Sequence, residues 1–257
     1  MKEENGCAIY IGVVILILFV VGAYIIPDST ESWSWISIML MRWTAIAAAG
    51  IIIIFRIISY FEAKAKIQLI DKLRLDANTS IKDFENYLQQ FLVIDSNIWM
   101  NENYDSFFLL LGVACNNQNC KLILYGPQFD EISNIKKNST FGKGKNKSAR
   151  IAINRIEEFQ KNNRLKIEPV TIDAQRGAYA DPMLVKLITK KSREGHQCTF
   201  ISDDIELRVR IRQHLVDHSK ATWEIVELAS ILPKCLVFQE AWNLGLLKPT
   251  VESDPGK

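Results

Sequence analysis

The chain has 257 residues, a formal net charge of +2 and 48% hydrophobic residues, which suits one ordinary domain with an appendage. Its five cysteines, Cys7, Cys115, Cys120, Cys198 and Cys235, are odd in number, scattered and without a CxxC pair. In a reducing compartment they read as core thiols.

Residues 8–26, AIYIGVVILILFVVGAYII, carry no charge, and about twenty such residues span the hydrocarbon core of a bilayer. A second apolar stretch runs from about Trp35 to Ser59. Arg42 and Arg56 interrupt it only near its ends, where long side chains snorkel. Between the two, PDSTESWSW reads as a tight loop with Trp33 and Trp35 as interface anchors. The expectation is a two-helix transmembrane hairpin over residues 1–60. A cleaved signal peptide is the competing reading, but MKEEN is a poor basic n-region and the second stretch still anchors the chain. The loop has Asp28 and Glu31 and no Lys or Arg, whereas Lys64, Lys66, Lys72 and Arg74 follow the second stretch. The positive-inside bias then places both ends in the cytoplasm, in a multi-pass protein of the inner membrane. Gly12 and Gly22 are small packing positions that suit a homo-oligomer.

Residues 61–90 read as a helical connector. It is amphipathic and basic from Phe61 to about Leu75, is broken at DANTS, and reopens at IKDFENYLQQ with Ser80 and Asp83 as a capping box. Residues 91–240 read as the soluble domain. FLVID (91–95), KLILY (121–125), LKIEPV (165–170) and QCTFIS (197–202) have the character of strands. Helical segments lie between them: a Phe- and Leu-rich one to about Cys115, PQFDEISNIKK with Pro127 in its first turn, ARIAINRIEEFQKN, and ADPMLVKLITKKSREG ending at Gly195. NSTFGKGKNKS reads as a polar Gly/Lys loop. This alternation predicts a three-layer α/β/α domain with a mainly parallel sheet. After Arg212, WEIVEL and CLVF each read as a further strand and AWNLGLL as a final helix. Residues 241–257 form a tail, expected to be disordered at TVESDPGK.

Four acids stand out by position. Asp95 closes the first strand and Asp204 follows the fourth, at the strand ends where open parallel sheets bind ligands. Glu131 and Asp181 begin helices that face the same edge. Four converging carboxylates repel one another, and a hard, oxygen-seeking Mg²⁺ or Mn²⁺ relieves that repulsion. Each acid also reads as an ordinary turn or helix-start carboxylate. Asp203 reads as the weaker of its pair, pointing to solvent or capping the helix. No acid lies between Glu131 and Glu157, yet Lys136, Lys137, Lys143, Lys145, Lys147, Arg150 and Arg155 do. With Arg208, Arg210 and Arg212 they are placed to flank the acids and grip a phosphate backbone. GKGKNKS lacks the Gly-Lys-Ser/Thr ending of a P-loop. His214 and His218 lack the further ligands of a zinc site.

FLVIDSNIWM, YGPQFDEISNIKK and CTFISDDIELRVR, in that order, resemble three motifs of the PIN nuclease family: its strand-Asp-x-Asn opening, its Glu-bearing helix and its (T/S)-(N/D)-D-x-x-L-R segment. The basic stretch leading into ARIAINRIEEF is similar to the branch that holds the PhoH-associated PIN domains and the nonsense-mediated-decay endonucleases. The resemblance covers roughly residues 91–215. It implies that Asp95, Glu131, Asp181 and Asp204 bind metal and catalyse, that Asn97 and Ser202 steady them, and that single-stranded RNA is the substrate. ADPML carries one acid where that branch often has a pair. The hairpin and the segment after His214 fall outside the family core. The expected function is a membrane-anchored, metal-dependent endoribonuclease, with a toxin or defence role in view; the alternative is an inactive PIN-like module that binds RNA or protein at the membrane.

Overall fold

The computed structural model describes residues 32–138, 142–169 and 180–247. The first apolar stretch, the proline end of the expected loop and the tail TVESDPGK lie outside them. Within them the chain is mixed α/β, mostly helical, with short parallel strands. It divides into two units, Met1–Leu69 and Ile70–Lys257.

Helix α1, Ser32–Leu88, is a single uninterrupted helix, and it is long and apolar enough to cross a membrane. In the first unit most of its large apolar side chains are exposed, among them Trp43 (67%) and Phe55 (65%). Its first residues, Ser32–Trp35, were expected in a loop. The break expected at DANTS and the capping box expected at Ser80 are also absent. Neither Pro nor Gly interrupts that segment, and its hydroxyls are satisfied on the helix itself: Thr79 Oγ1 donates to Leu75 O and Ser80 Oγ to Asp76 O, both at 3.0 Å. Residues 70–88, expected as a connector, belong to the second unit, where Ala77 and Phe84 are buried in its core.

Among the described residues the second unit carries five strands of four residues: β1 (Phe91–Ile94), β2 (Leu122–Tyr125), β3 (Leu165–Glu168), β4 (Cys198–Ile201) and β5 (Trp223–Val226). One sheet has the order β1-β4-β5 and the other pairs β2 with β3, every pairing parallel. Where the sheets meet, Gln128 replaces a strand ladder. Its Nε2 donates to Ile94 O at 2.7 Å and its Oε1 accepts from Tyr125 N at 3.3 Å.

Between the strands run α2 (Ser96–Met100), α3 (Asp105–Gln118), α4 (Gly126–Lys137), α5 (Gly142–Lys161), α6 (Asp181–Arg193), α7 (Ile205–His218) and α8 (Leu228–Asn243). Successive strand residues point to opposite faces, so the unit has two cores. Ile94, Leu124 and Ile201 join one, with Phe84, Trp99, Phe107, Ile156 and Phe238. Val93 and Phe200 join the other, with Leu184, Ile188 and Ile211. Helices thus cover both sides of the strands.

Two expectations need correction. The stretch 142–148, read as a loop, forms the first turns of α5. Ala149, Ala152, Ile156 and Phe159 are buried at spacings of three and four, and this stripe carries helical periodicity back toward Gly142. CLVF, read as a strand, lies inside α8, which continues past Pro233 although that residue has no amide to give its helix. Cys115, Cys198 and Cys235 are buried thiols, as core thiols should be.

Candidate active site

The chain leaves β1 toward β2 on one side, while β4 lies on the other. Such a reversal opens a crevice at the carboxyl ends of the two strands. Asp95 follows β1 there as the residue before α2, with 0% exposure. Ser202 follows β4, and its Oγ donates to Asp95 Oδ2 at 2.7 Å. Ser96 stands between two acids, with its hydroxyl 2.8 Å from Glu131 Oε2 and 3.3 Å from Asp95 Oδ1. One hydroxyl hydrogen serves one carboxylate at a time, so the shorter contact to Glu131 dominates.

Burial is the largest influence on Asp95 and pushes its carboxyl up; Ser202, the Asn97 amide and Ser96 pull it down, and the charge of Asp204 pushes it up. The Asn97 amide acts on the charge without completing a capping hydrogen bond. The Asn97 side chain itself is exposed, so its contribution comes from the main chain. Glu131 is likewise raised, by burial first and then by Asp181 and Asp95 against the pull of Ser96. Asp181, at the start of α6, is raised by burial, Asp95 and Asp204, while Arg210 pulls it down and Glu206 pushes it up. The four acids therefore share one electrostatic neighbourhood. Among the described residues none of the four forms a salt bridge with Lys or Arg.

Their side chains are also engaged locally. Asp204 Oδ1 accepts from Leu207 N at 3.0 Å and caps α7, while its own amide donates to Ser202 Oγ at 3.0 Å. Among the described residues no group of three or more His, Cys, Asp or Glu side chains is arranged to hold a metal ion as it stands. Asp203 does something other than expected. It accepts from Tyr104 Oη at 2.5 Å and from Leu228 N at 2.9 Å, so it fastens the start of α8 to the strand ends instead of facing solvent or capping α7.

The basic residues separate into two groups. Lys136 and Lys137 are exposed in the last turn of α4. Lys143, Lys145, Arg150 and Arg212 are exposed as well, and Lys147 pairs with Glu102 at 2.6 Å on the surface. Arg210 pairs with Glu206 beside Asp181. Arg155 belongs to the core and not to a phosphate grip: it is 7% exposed and donates to Trp99 O (2.9 Å), Asn101 O (2.7 Å) and Asp105 Oδ1 (2.5 Å). Arg208 is similarly committed, to Ser202 O at 3.2 Å and Glu227 at 3.1 Å.

Sequence reasoning overlooked Ser96 and Gln128. Ser96 was detectable as a hydroxyl directly after the strand-end acid. Gln128 gave no signal, because its role arises from the gap between two sheets. Comparison of the chain with family models, curated proteins and solved structures finds no match.

Proposed function

We propose that the chain is a membrane-anchored, divalent-metal-dependent ribonuclease that hydrolyses single-stranded RNA on a PIN-like domain. One observation carries the reading: Asp95 is wholly buried, hydrogen-bonded by Ser202, in no salt bridge among the described residues and within the electrostatic reach of three further carboxylates. Burying an unpaired carboxylate is costly, and adding like charges raises the cost. A hard cation offsets it, and an all-carboxylate oxygen set suits Mg²⁺ or Mn²⁺. Asp95, Glu131, Asp181 and Asp204 would hold it. Such an ion, when bound, supplies hydroxide from water and charge neutralisation at phosphoryl oxygens.

The chain's own residues prepare that site. Ser202 and Ser96 fix the Asp95 and Glu131 carboxylates. Arg210, beside Asp181, presents a cation to a phosphate. RNA in preference to DNA follows from the PIN resemblance of FLVIDSNIWM and CTFISDDIELRVR. The apolar character of α1, taken with residues 8–26, supports a membrane hairpin with the catalytic unit on the cytoplasmic side, where the basic residues after the second span favour it. Cleavage activity held at a membrane suits a toxin or defence effector, and paired hairpins would bring several units together.

The test is cleavage of labelled single-stranded RNA by the full chain in detergent. Mn²⁺ should support it and EDTA stop it. Asp204→Asn is informative because Asn also caps helices well, so the variant retains α7 and loses a metal ligand. The engagement of Asp204 in that cap favours a second reading, a non-catalytic module that binds RNA or protein. RNA binding that is indifferent to Mn²⁺, with no product formed, would select it.

A further inference from the structure

A second basic surface lies between α6 and α7. A groove of about 430 Å³ runs there, lined by Lys186, Lys190 and Arg193 of α6 and His214 of α7. Its floor is Val185 and Thr189, and the Thr189 hydroxyl is spent on Val185 O at 2.7 Å. The groove's polar character therefore comes from its rim.

Lys186, Lys190 and Arg193 follow one another at spacings of four and three, which places them on one helix face. All three are exposed. Among the described residues Lys186 and Arg193 are in no salt bridge. Glu194, the acid of the groove, lies 4.0 Å from Lys190 and only 2.8 Å from Lys191, so most of its charge is answered outside the row. At 1.5 Å per residue the three cations span about 10 Å along the helix. A row of this kind does not converge on a point, as a pocket for one small phosphate would. It matches a polyanion whose charges repeat along an axis.

The groove lies along the two helices that begin at the acids. α6 begins at Asp181 and α7 follows Asp204. Arg210 of α7, whose charge reaches Asp181, leads from the acids toward His214, one turn further along α7. We propose that the α6–α7 groove seats the sugar-phosphate backbone of a single-stranded polynucleotide as it leaves the acid cluster, with Lys186, Lys190 and Arg193 each facing a phosphate. This deepens, and rests on, the ribonuclease reading by assigning the path of the substrate strand.

The test reads binding without cleavage. The full chain in detergent and EDTA is titrated with a fluorescein-labelled oligouridylate, and anisotropy is followed across a salt series. K186Q/K190Q/R193Q should bind at least tenfold more weakly at low salt, and the slope of log K against log salt should flatten by about 2, from about 0.7 per lost phosphate contact. K121Q/K161Q/K166Q, which removes the same charge from exposed positions elsewhere, should bind within twofold of wild type. If the triple groove variant does not fold, K186Q and R193Q singly should each flatten the slope by about 0.7. Unchanged binding in the groove variant, or an equal loss in both triples, overturns the proposal. Unchanged RNA binding with lost retention of phosphatidylglycerol in mixed micelles overturns it in favour of a lipid headgroup site. Because EDTA silences metal chemistry, a wild type that binds through the groove but cleaves nothing in Mn²⁺ would sink the nuclease reading and leave this result standing.

Discussion

Ser202 Oγ donates to Asp95 Oδ2 across 2.7 Å and so joins the ends of β4 and β1 through their side chains, one residue beyond the Ile94–Ile201 pair of the ladder. The same oxygen accepts from Asp204 N. Ser202→Ala removes both, leaving a buried carboxylate with one fewer donor. It should cost about 1–3 kcal/mol in urea unfolding at neutral pH. The Ser202 bond lowers the pKa of Asp95, so it stabilises the ionised form. The penalty of the variant should be full above the folded pKa and shrink as pH falls through it. A pH-independent penalty would mean that Ser202 acts only through packing.

Asp203 and Asp204 are neighbours with separable tasks. Asp203→Ala removes the acceptor for both Tyr104 Oη and Leu228 N. Bonds to a charged acceptor are worth about 1.5–3 kcal/mol each, so the variant should melt several degrees lower and lose rigidity at the start of α8. Burial, then the Asp203 bond and charge, push Tyr104 up to about 12. Spectrophotometric titration of the variant should show one phenol moved down toward the ordinary value near 10. Metal-dependent cleavage per folded molecule should change far less than with Asp95→Asn.

How much of this was legible in the sequence follows physical lines. The strands of the second unit were readable from apolar runs bounded by acids or turns, and the helix starts at Pro127 and Asp181 from their own chemistry. DANTS misled because Thr and Ser are favoured at caps, yet inside a helix their hydroxyls bond back to the carbonyl four residues before, here Leu75 O and Asp76 O. The lysine-rich run misled because its polarity hid a stripe that becomes apolar only from Ala149 onward. That Asp95, Asp181 and Asp204 stand at strand ends or a helix start was inferable from strand order, whereas Glu131, expected to begin its helix, stands in the second turn of α4. That Arg155 and Arg208 turn inward was not, since an arginine reads alike on either side of a helix until its partners, Trp99 O and Glu227 among them, are known.

The continuity of α1 can be tested at that misleading segment. Thr79→Ala deletes a hydroxyl that serves only its own helix, so unfolding should move by no more than about 0.5 kcal/mol. Thr79→Pro removes an amide and collides with the carbonyl of Leu75, which should cost about 3 kcal/mol or more. A true break at DANTS would tolerate both, and circular dichroism of the two variants separates the cases.

Arg155 offers a comparison with the exposed lysines. Its guanidinium reaches two main-chain carbonyls and Asp105 and lies 4.7 Å from the Phe108 ring centre. Lysine has neither the fork nor the plane to replace it. Arg155→Lys should cost about 2–4 kcal/mol, since carbonyls are left unpaired, and should lower the melting temperature by roughly 2–4 °C per kcal/mol for a unit of this size. At temperatures where the variant is folded, the salt dependence of RNA binding should match wild type. A flattened slope would return Arg155 to the phosphate-contacting set.

Asp95 decides the metal question. Its folded pKa lies above the ordinary 3.8, and Glu131 and Asp181 are shifted the same way. A raised carboxyl pKa means that the folded state binds the proton more tightly than the unfolded one, so stability without metal rises as pH falls from neutral through the folded pKa values. Asp95→Asn removes the most buried of these charges. Without metal it should be as stable as wild type at pH 7 or more so, with a flatter pH dependence. Mn²⁺ at a hundred times its Kd should add about 2.7 kcal/mol to wild type at pH 7, and less as protons compete for the same oxygens. The variant should gain almost nothing and cleave nothing. Equal stabilisation of both proteins by Mn²⁺ would place the ion elsewhere and leave Asp95 as a buried polar residue held by Ser202.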